Sequence, residues 1–382
     1  MTITSTLSKK RIMKTKLRFY NLIFFVSILF TMFTMREAPQ AQTEQKTIGF
    51  PDSPFGVLEF LHWNHSWNNY KYPGRVEIEK AASLMREAGV GWVRVDFLWN
   101  DIEPAQSVYC FEKYDAIVDV LTKHGIRVLG ILHYSADWAS SCGKWNCPPK
   151  DNAQFVNYAV KVVNRYKDRV KYWELWNEPD SGIYWNPQDS LKSYCALLKD
   201  VYAAAKKEDP ECKILNGGIA NGIKSINQLY DNGAKDYFDI MNIHIFETPL
   251  HKESIHRVAA YPKLAYKIMK RNGDGDKKIW VTEIGCPGVA RGVKTSPWWM
   301  GKNPTEKQQA EWVQEVYAEL LKHPAVEKVF WAFFRDTKDH WKNGTDYFGL
   351  IRWDYSQKPS FKAYKKCVEE WKKNTLQETN SP

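Results

Sequence analysis

The chain has 382 residues, of which 44% are hydrophobic, and it carries a formal net charge of +10. This composition provides enough apolar residues for one large folded domain and excludes a wholly disordered protein. Residues 1–41 hold seven Lys or Arg and one Glu. No basic run typical of nucleic-acid binding follows them, so we expect no nucleic-acid partner.

The N-terminal segment has the organisation of a secretory signal peptide. Basic residues precede an almost wholly apolar run at 22–35, and small residues follow at 38–41. The run is short for a membrane-spanning helix, but an uncleaved membrane anchor is the alternative. We therefore expect residues 1–41 to be a signal peptide or anchor and 42–54 to be a short lead-in. The mature protein is expected to be secreted, periplasmic or at the cell surface, and to meet a membrane only if this segment is uncleaved.

Short apolar runs alternate with helical patterns from residue 55 onward. Most of the runs are continuous, as is typical of parallel strands buried on both faces. The predicted strands are 55–61, 91–97, 127–133, 170–176, 213–219, 238–246, 278–284 and 328–334. Apolar residues at helical spacing predict helices at 77–88, 114–124, 152–166, 191–207, 305–322 and 359–373, with a weaker helix near 225–234.

Eight strands that alternate with helices predict an α/β fold with one catalytic domain, a (β/α)₈ or TIM barrel over residues 55–373 and a tail at 374–382. A doubly wound open sheet is the rival fold. It would need a glycine-rich phosphate loop after an early strand, and the sequence has none. Cys142 and Cys147 could close a small disulfide after export. Their spacing is weak evidence for zinc, and we expect neither a metal nor a cofactor.

In such a barrel, catalytic groups lie at the C-terminal ends of the strands. The residues of interest at or just beyond these ends are Arg94, His133, Trp138, Asn177, Glu178, His244, Glu283 and Trp331. Glu178 and Glu283 follow the fourth and seventh strands, which face each other across the mouth of an eight-stranded ring. Two opposed carboxylates are what the cleavage of a glycosidic bond requires.

The other residues have roles that suit this chemistry. Asn177 lies next to Glu178, where it could contact the sugar 2-hydroxyl. Arg94 could keep Glu283 ionised, because a nearby cation lowers the pKa of a carboxylate. Trp331 could form a floor under the reacting sugar. We also assign His133 and Trp138 to substrate binding.

The segment WNEP, with a later VTEIG on an apolar strand, resembles the retaining barrel enzymes of glycoside hydrolase clan A. Within the clan, the stretch PPKDNAQFVNYAVKVVNRYKDRVKYWELWNEPDSGIYW is most similar to family 39 and its exopolysaccharide-cleaving relatives, and next to family 5. The resemblance implies that Glu178 is the acid/base and Glu283 the nucleophile. It also implies a glycone subsite containing Asn177, Arg94, His244 and Trp331.

One residue departs from the family pattern, because Phe246 stands where a tyrosine usually contacts the nucleophile. The leading interpretation is a secreted retaining hydrolase that cleaves β-glycosidic bonds inside a polysaccharide or exopolysaccharide by double displacement. Its partner would be a polysaccharide or oligosaccharide substrate. A catalytically inactive glycan-binding barrel and a transglycosylase with the same residues are the alternatives.

Overall fold

The computed structural model describes residues 53–299 and 301–379. Its strands are β1 (Phe55–Leu58), β2 (Trp92–Leu98), β3 (Arg127–His133), β4 (Tyr172–Leu175), β5 (Lys213–Asn216), β6 (Met241–Phe246), β7 (Ile279–Gly285) and β8 (Val326–Ala332). Its α-helices are α1 (Arg75–Ala88), α2 (Trp99–Ile102), α3 (Glu112–Lys123), α4 (Asn152–Tyr166), α5 (Lys192–Glu208), α6 (Ile223–Asp231), α7 (Ser254–Arg271), α8 (Glu306–Leu320) and α9 (Pro359–Thr379). Two short 3₁₀ helices lie at Lys235–Tyr237 and Gly344–Tyr347.

The strands form one parallel sheet in the order β5-β4-β3-β2-β1-β8-β7-β6. Isolated bridges from Leu215 to Ile240 and from Ile219 to Ile243 join the region of β5 to that of β6. The sheet is thereby nearly closed into a ring. This arrangement confirms the predicted (β/α)₈ barrel.

The barrel interior has an apolar base. Trp92, Leu129, Leu215, Ile240, Trp280 and Phe330 form one buried cluster drawn from across the sheet. The rings of Trp92 and Trp280 lie 5.2 Å apart although β2 and β7 are not neighbours, so both point inward. Side chains alternate along a strand, so Arg94 and Asp96 follow Trp92 on the inward face of β2. The polar residues therefore stand above an apolar floor.

The predicted element bounds agree best where the sequence pattern is strongest. Strand β3 and helix α4 have the predicted bounds. Helix α9 continues to Thr379, beyond the predicted end at residue 373. Helix α7 had no predicted bounds, because Pro262 lies in its interior and a proline usually indicates a helix break.

The predicted signal or anchor at 1–41 and most of the lead-in lie outside the described residues. Among the residues that the structure describes, no helix is both long enough and apolar enough to cross a membrane.

Candidate active site

Arg94 is the central cation of the site. Its Nε donates to Glu174 Oε2 at 2.7 Å and its Nη2 to Glu174 Oε1 at 2.7 Å. The Nη1 group donates to Glu283 Oε1 at 2.5 Å, and Nη2 also donates to Asn177 Oδ1 at 2.9 Å. Arg94 is only 1% exposed. Burial lowers its pKa, but Glu174 and Glu283 outweigh burial, so the pKa lies above its ordinary value and the guanidinium stays charged.

His244 on β6 lies between the two predicted catalytic carboxylates. Its Nδ1 is 2.9 Å from Glu178 Oε1 and 3.8 Å from Glu283 Oε1. Its Nε2 is 3.0 Å from Thr282 Oγ1. The ring packs against Gly218, where an added Cβ would lie 1.9 Å from Nε2, so only glycine fits under it. Burial lowers the pKa of His244, which favours a neutral imidazole.

The pKa of each predicted catalytic carboxyl is above its ordinary value. Burial, with the charges of Asp180 and Glu174, raises the pKa of Glu178 to about 8, and Arg94 opposes this rise. Burial also raises the pKa of Glu283, while His244 and Arg94 lower it. Arg94 therefore lowers the pKa of Glu283, the direction expected from the sequence, but burial outweighs the guanidinium in the net pKa.

The backbone that carries Glu178 adopts an uncommon conformation. Trp176 has φ 65° and Glu178 has φ 42°, both in the left-handed region that non-glycine residues rarely occupy. The Asp180 carboxylate accepts hydrogen bonds from the backbone amides of Ala220 and Asn221, at 3.3 and 2.7 Å. Conformations of this kind persist where surrounding contacts hold them, and they cluster at functional sites.

A cavity of about 450 Å³ opens at the C-terminal ends of the strands. Its lining includes Glu283, Arg94, Asn177 and His133. Two aromatic walls flank these polar groups. The first wall, from the segments after β1 and β8, consists of Phe60, Trp67, Phe333, His340 and Trp341. The second wall, from the segments after β3 and β4, consists of Tyr134, Trp145, Ile183 and Tyr184.

The structure brings most of the predicted site residues together. Asn177 and Arg94 contact each other, and His244 contacts Glu178. His133 lines the cavity, and its Nε2 lies 3.0 Å from Asp96 Oδ1.

The two predicted tryptophans lie elsewhere. Trp331 is 0% exposed, and its Nε1 donates to the Phe348 carbonyl at 2.9 Å. It belongs to the core between the strands and the helices, whereas Phe330 joins the cluster inside the barrel. Trp138 packs on Trp99 and donates its Nε1 to the Glu103 carbonyl at 2.8 Å. Neither lines the cavity, so the assignment of Trp331 as its floor is corrected, because this side chain faces outward.

Several residues of the site were not predicted. Glu174 is buried within β4 and binds Arg94 with both carboxylate oxygens. The available signal was a glutamate in the middle of an apolar strand, which requires a buried cation. Thr282 and Asn242 are likewise buried polar residues on inward strand positions, and the Thr282 hydroxyl lies 2.7 Å from Asn242 Oδ1.

A tyrosine from the segment after β4 lies near both predicted catalytic carboxylates. Phe246 packs against Trp298 and Phe348 and does not line the cavity. Tyr184 does line it, and burial followed by the charges of Glu178 and Glu283 raises its pKa. Tyr184 is therefore a candidate for the contact that the family tyrosine usually makes.

Comparison with known proteins identifies the family of the chain. The model of the family described as "Glycosyl hydrolase catalytic core" matches residues 141–363. The chain belongs to this glycosyl hydrolase family. A second family model, described as "Beta-galactosidase", matches residues 67–131.

The individual relatives have low sequence identity to this chain or match only a short part of it. An endo-1,4-beta-xylanase B of Thermotoga neapolitana is 22% identical over 85% of this chain and 94% of its own length. A phospho-cellobiase of Klebsiella oxytoca is 32% identical over 32% of this chain, and the match spans 30% of that relative's length. The solved structure of a family 39 glycoside hydrolase from Bacteroides cellulosilyticus superposes with a TM-score of 0.65 at 27% identity, covering 82% of this chain and 63% of the other. These matches confirm the predicted resemblance to clan A, with family 39 first.

Three groups of this site could also approach a cation. Glu178, His244 and Glu283 each offer one ligand atom, and these atoms lie within 4.8 Å of one another. Arg94, however, donates to Oε1 of the Glu283 carboxylate at 2.5 Å. A fixed positive charge at that distance opposes a divalent cation, so the residues fit acid–base chemistry better than a metal centre.

Proposed function

We propose that the protein is a secreted retaining glycoside hydrolase that cleaves β-glycosidic bonds inside a polysaccharide or exopolysaccharide. The observation that carries this proposal is the closeness of the two carboxylates, since one oxygen of Glu178 lies within 4.8 Å of one oxygen of Glu283. Retaining enzymes separate these groups by about 5–5.5 Å, whereas inverting enzymes need about 6.5–9.5 Å to admit a water. An oxygen pair this close favours the shorter separation and so supports double displacement.

In the first half-reaction, Glu283 attacks the anomeric carbon while Glu178 gives its proton to the glycosidic oxygen. The leaving group departs with that proton, and a covalent glycosyl-enzyme remains on Glu283. The raised pKa of Glu178, at about 8, keeps its proton available at neutral pH. Arg94 favours the ionised form of Glu283 and holds the oxygen at 2.5 Å.

In the second half-reaction, Glu178 is ionised and removes a proton from water. The resulting nucleophile attacks the anomeric carbon from the opposite face and releases Glu283. His244 Nδ1, 2.9 Å from Glu178 Oε1, fixes the carboxyl position in both halves. Two inversions at one carbon give net retention of configuration.

The substrate class follows from the relatives and from the cavity. The names of the relatives include a xylanase and a phospho-cellobiase, which supports β-linked sugars. Aromatic side chains on both sides of the carboxylates suit a sugar chain that extends in both directions, which supports internal cleavage. The signal-peptide pattern at 1–41 supports export.

The intact acid, nucleophile and cation favour catalysis over a barrel that only binds glycan. The test uses the exported protein, incubated with a panel of β-linked polysaccharides, with NMR of the first anomer formed. We expect oligosaccharides of mixed length and retention of the β-configuration. An inverted anomer, or no cleavage of any polysaccharide by a folded protein, would contradict the proposal. Glu283→Gln serves as the matched inactive control.

A further inference from the structure

The second aromatic wall is attached to the segment that carries the acid/base. Glu178 lies five residues before Ile183, and the Trp176 Nε1 donates to the Tyr184 carbonyl at 2.8 Å. The ring of Tyr134 lies 6.3 Å from that of Tyr184 and nearly parallel to it. The acid/base gives its proton to the glycosidic oxygen, and the leaving group begins at that oxygen. A leaving group beside Glu178 would therefore meet the wall that this segment carries.

Trp145 is the exposed member of this wall. Its side chain is 45% exposed, and its ring contacts that of Tyr134 edge-on at 4.6 Å. It therefore presents free aromatic surface at the edge of the cavity. Such surface suits the apolar face of a sugar ring.

A disulfide closes the short loop that contains Trp145. Cys142 and Cys147 are bonded, and we call the segment between them the disulfide loop. The amide of Ser135 donates to the Trp145 carbonyl at 3.0 Å, and its hydroxyl donates to the Cys147 carbonyl at 2.7 Å. Asn146 Nδ2 donates to the Ile183 carbonyl at 2.9 Å. The loop is thus fixed both to the end of β3 and to the segment after β4.

We infer that Trp145, fixed by the disulfide loop, forms the binding platform for the leaving-group sugar. This inference rests on the proposed function and names a substrate position within it. The occupant is a pyranose of the substrate chain on the leaving-group side of the cleaved bond.

The test compares substrates with and without a leaving-group sugar. The probes are p-nitrophenyl β-glycosides of glucose, galactose, mannose and xylose, and the β-1,4-linked tetrasaccharides of the same four sugars. For Trp145→Ala, we expect kcat/KM on the tetrasaccharide to fall about 3- to 10-fold further than on the matching aryl glycoside, the scale of one lost aromatic contact. Trp145→Phe should recover most of the kcat/KM that Trp145→Ala loses on the tetrasaccharide.

The disulfide is tested in the same assay. The measured ratio is kcat/KM on the tetrasaccharide divided by kcat/KM on the matching aryl glycoside, and the Cys142→Ser/Cys147→Ser variant should lower it. Adding Trp145→Ala to that variant should lower the ratio by less than the product of the two separate effects, because both changes act on one contact. Cys110→Ser removes an exposed free cysteine and is the matched control. Trp299→Ala is the second control, because Trp299 is 40% exposed and does not line the cavity. Both controls should keep the wild-type ratio.

The outcomes separate this inference from the proposed function. If the wild-type protein cleaves a tetrasaccharide and Trp145→Ala leaves the ratio unchanged, or if Trp299→Ala lowers it equally, the inference is wrong and the hydrolase proposal stands. If the folded wild-type protein cleaves none of the eight probes and none of the polysaccharides, both are wrong.

Discussion

Glu178 and Glu283 have the same side chain, but their surroundings differ. A guanidinium donates to Glu283 at 2.5 Å, whereas the near partner of Glu178 is an imidazole whose pKa is lowered by burial. A fixed cation favours a carboxylate that attacks, and a neutral imidazole tolerates a carboxyl that keeps its proton. In the proposed mechanism, these different hydrogen-bond partners suit Glu283 to attack and Glu178 to donate a proton.

The largest effect is expected from removal of the nucleophile. Glu283→Ala should lower kcat by at least about 10⁴-fold on every glycoside, because no covalent intermediate can form whatever the leaving group. Steady-state rates on an aryl β-glycoside and on a polysaccharide would measure this. Azide that restored turnover with retained configuration in this variant would show that the two roles are reversed.

Removal of the acid/base should depend on the leaving group. Glu178→Ala should lose about 10²–10⁴-fold on polysaccharide, the usual contribution of general acid–base catalysis. An activated aryl glycoside leaves without a proton, so the glycosyl-enzyme should still form and then accumulate. Azide needs no base and should restore turnover to give a β-glycosyl azide from a β-glycoside, which NMR can identify. Near-normal activity on polysaccharide would rule out this role.

Arg94 tests how much of the difference comes from the cation. Arg94→Lys keeps a charge but loses the paired hydrogen bonds, and we expect kcat to fall about 10²-fold through misplacement of Glu283. Arg94→Met should also lower the free energy of unfolding by about 3–5 kcal/mol, because Glu174 is then buried without a cation.

The matched control for that variant is Arg94→Met/Glu174→Met. It should recover much of the stability in chemical denaturation without recovering activity. Recovery of activity would show that Arg94 acts only through the fold.

The pH profile tests the protonation state of Glu178. Its pKa of about 8 predicts that kcat/KM falls as pH rises through about 8, because the acid form is lost. The same pKa is raised above the unfolded value, so the folded state holds a proton that the unfolded state releases between about pH 4.5 and 8. The stability of the wild type should therefore fall with rising pH in this window. Over the same window, the Tm of Glu178→Gln should rise relative to that of the wild type. An equal difference in Tm at pH 4 and pH 9 would contradict this pKa.

The smallest effect is expected from Thr282, which contacts the far nitrogen of His244 at 3.0 Å. Thr282→Val removes that hydroxyl at similar volume, and we expect the alkaline limb of the pH profile to move by less than about one pH unit, with kcat reduced a few-fold. Thr282→Ser keeps the hydroxyl and should behave as wild type. A loss of Tm without any movement of the limb would indicate a structural role alone.

The sequence predicted the elements of the barrel more reliably than the directions of their side chains. In β8 the run KVFWAFF is apolar on both faces, so nothing in it shows that Phe330 points inward and Trp331 outward. On β2, by contrast, Arg94 and Asp96 alternate with valine and phenylalanine, and that alternation reveals the inward face. Side-chain direction could be predicted only where the two faces of a strand differ in polarity.

The two carboxylates could be identified because strand order fixes which strand ends face each other. The partners of the supporting residues could not be assigned, because Glu174, Thr282 and Asn242 are distant in sequence from the residues that they contact. Helix α7 was not predicted for a local reason. Pro262 interrupts the helical sequence pattern, although the helix itself continues through this residue.

Arg94 has one more consequence, which concerns inactivation by heat. Its hydrogen bonds join β2 to Glu174 on β4 and to Glu283 on β7, so they cross-link three strands inside the barrel. The catalytic centre cannot then melt as a local unit, because loosening it means separating strands of the sheet. Catalytic half-life on heating should therefore follow the global unfolding rate.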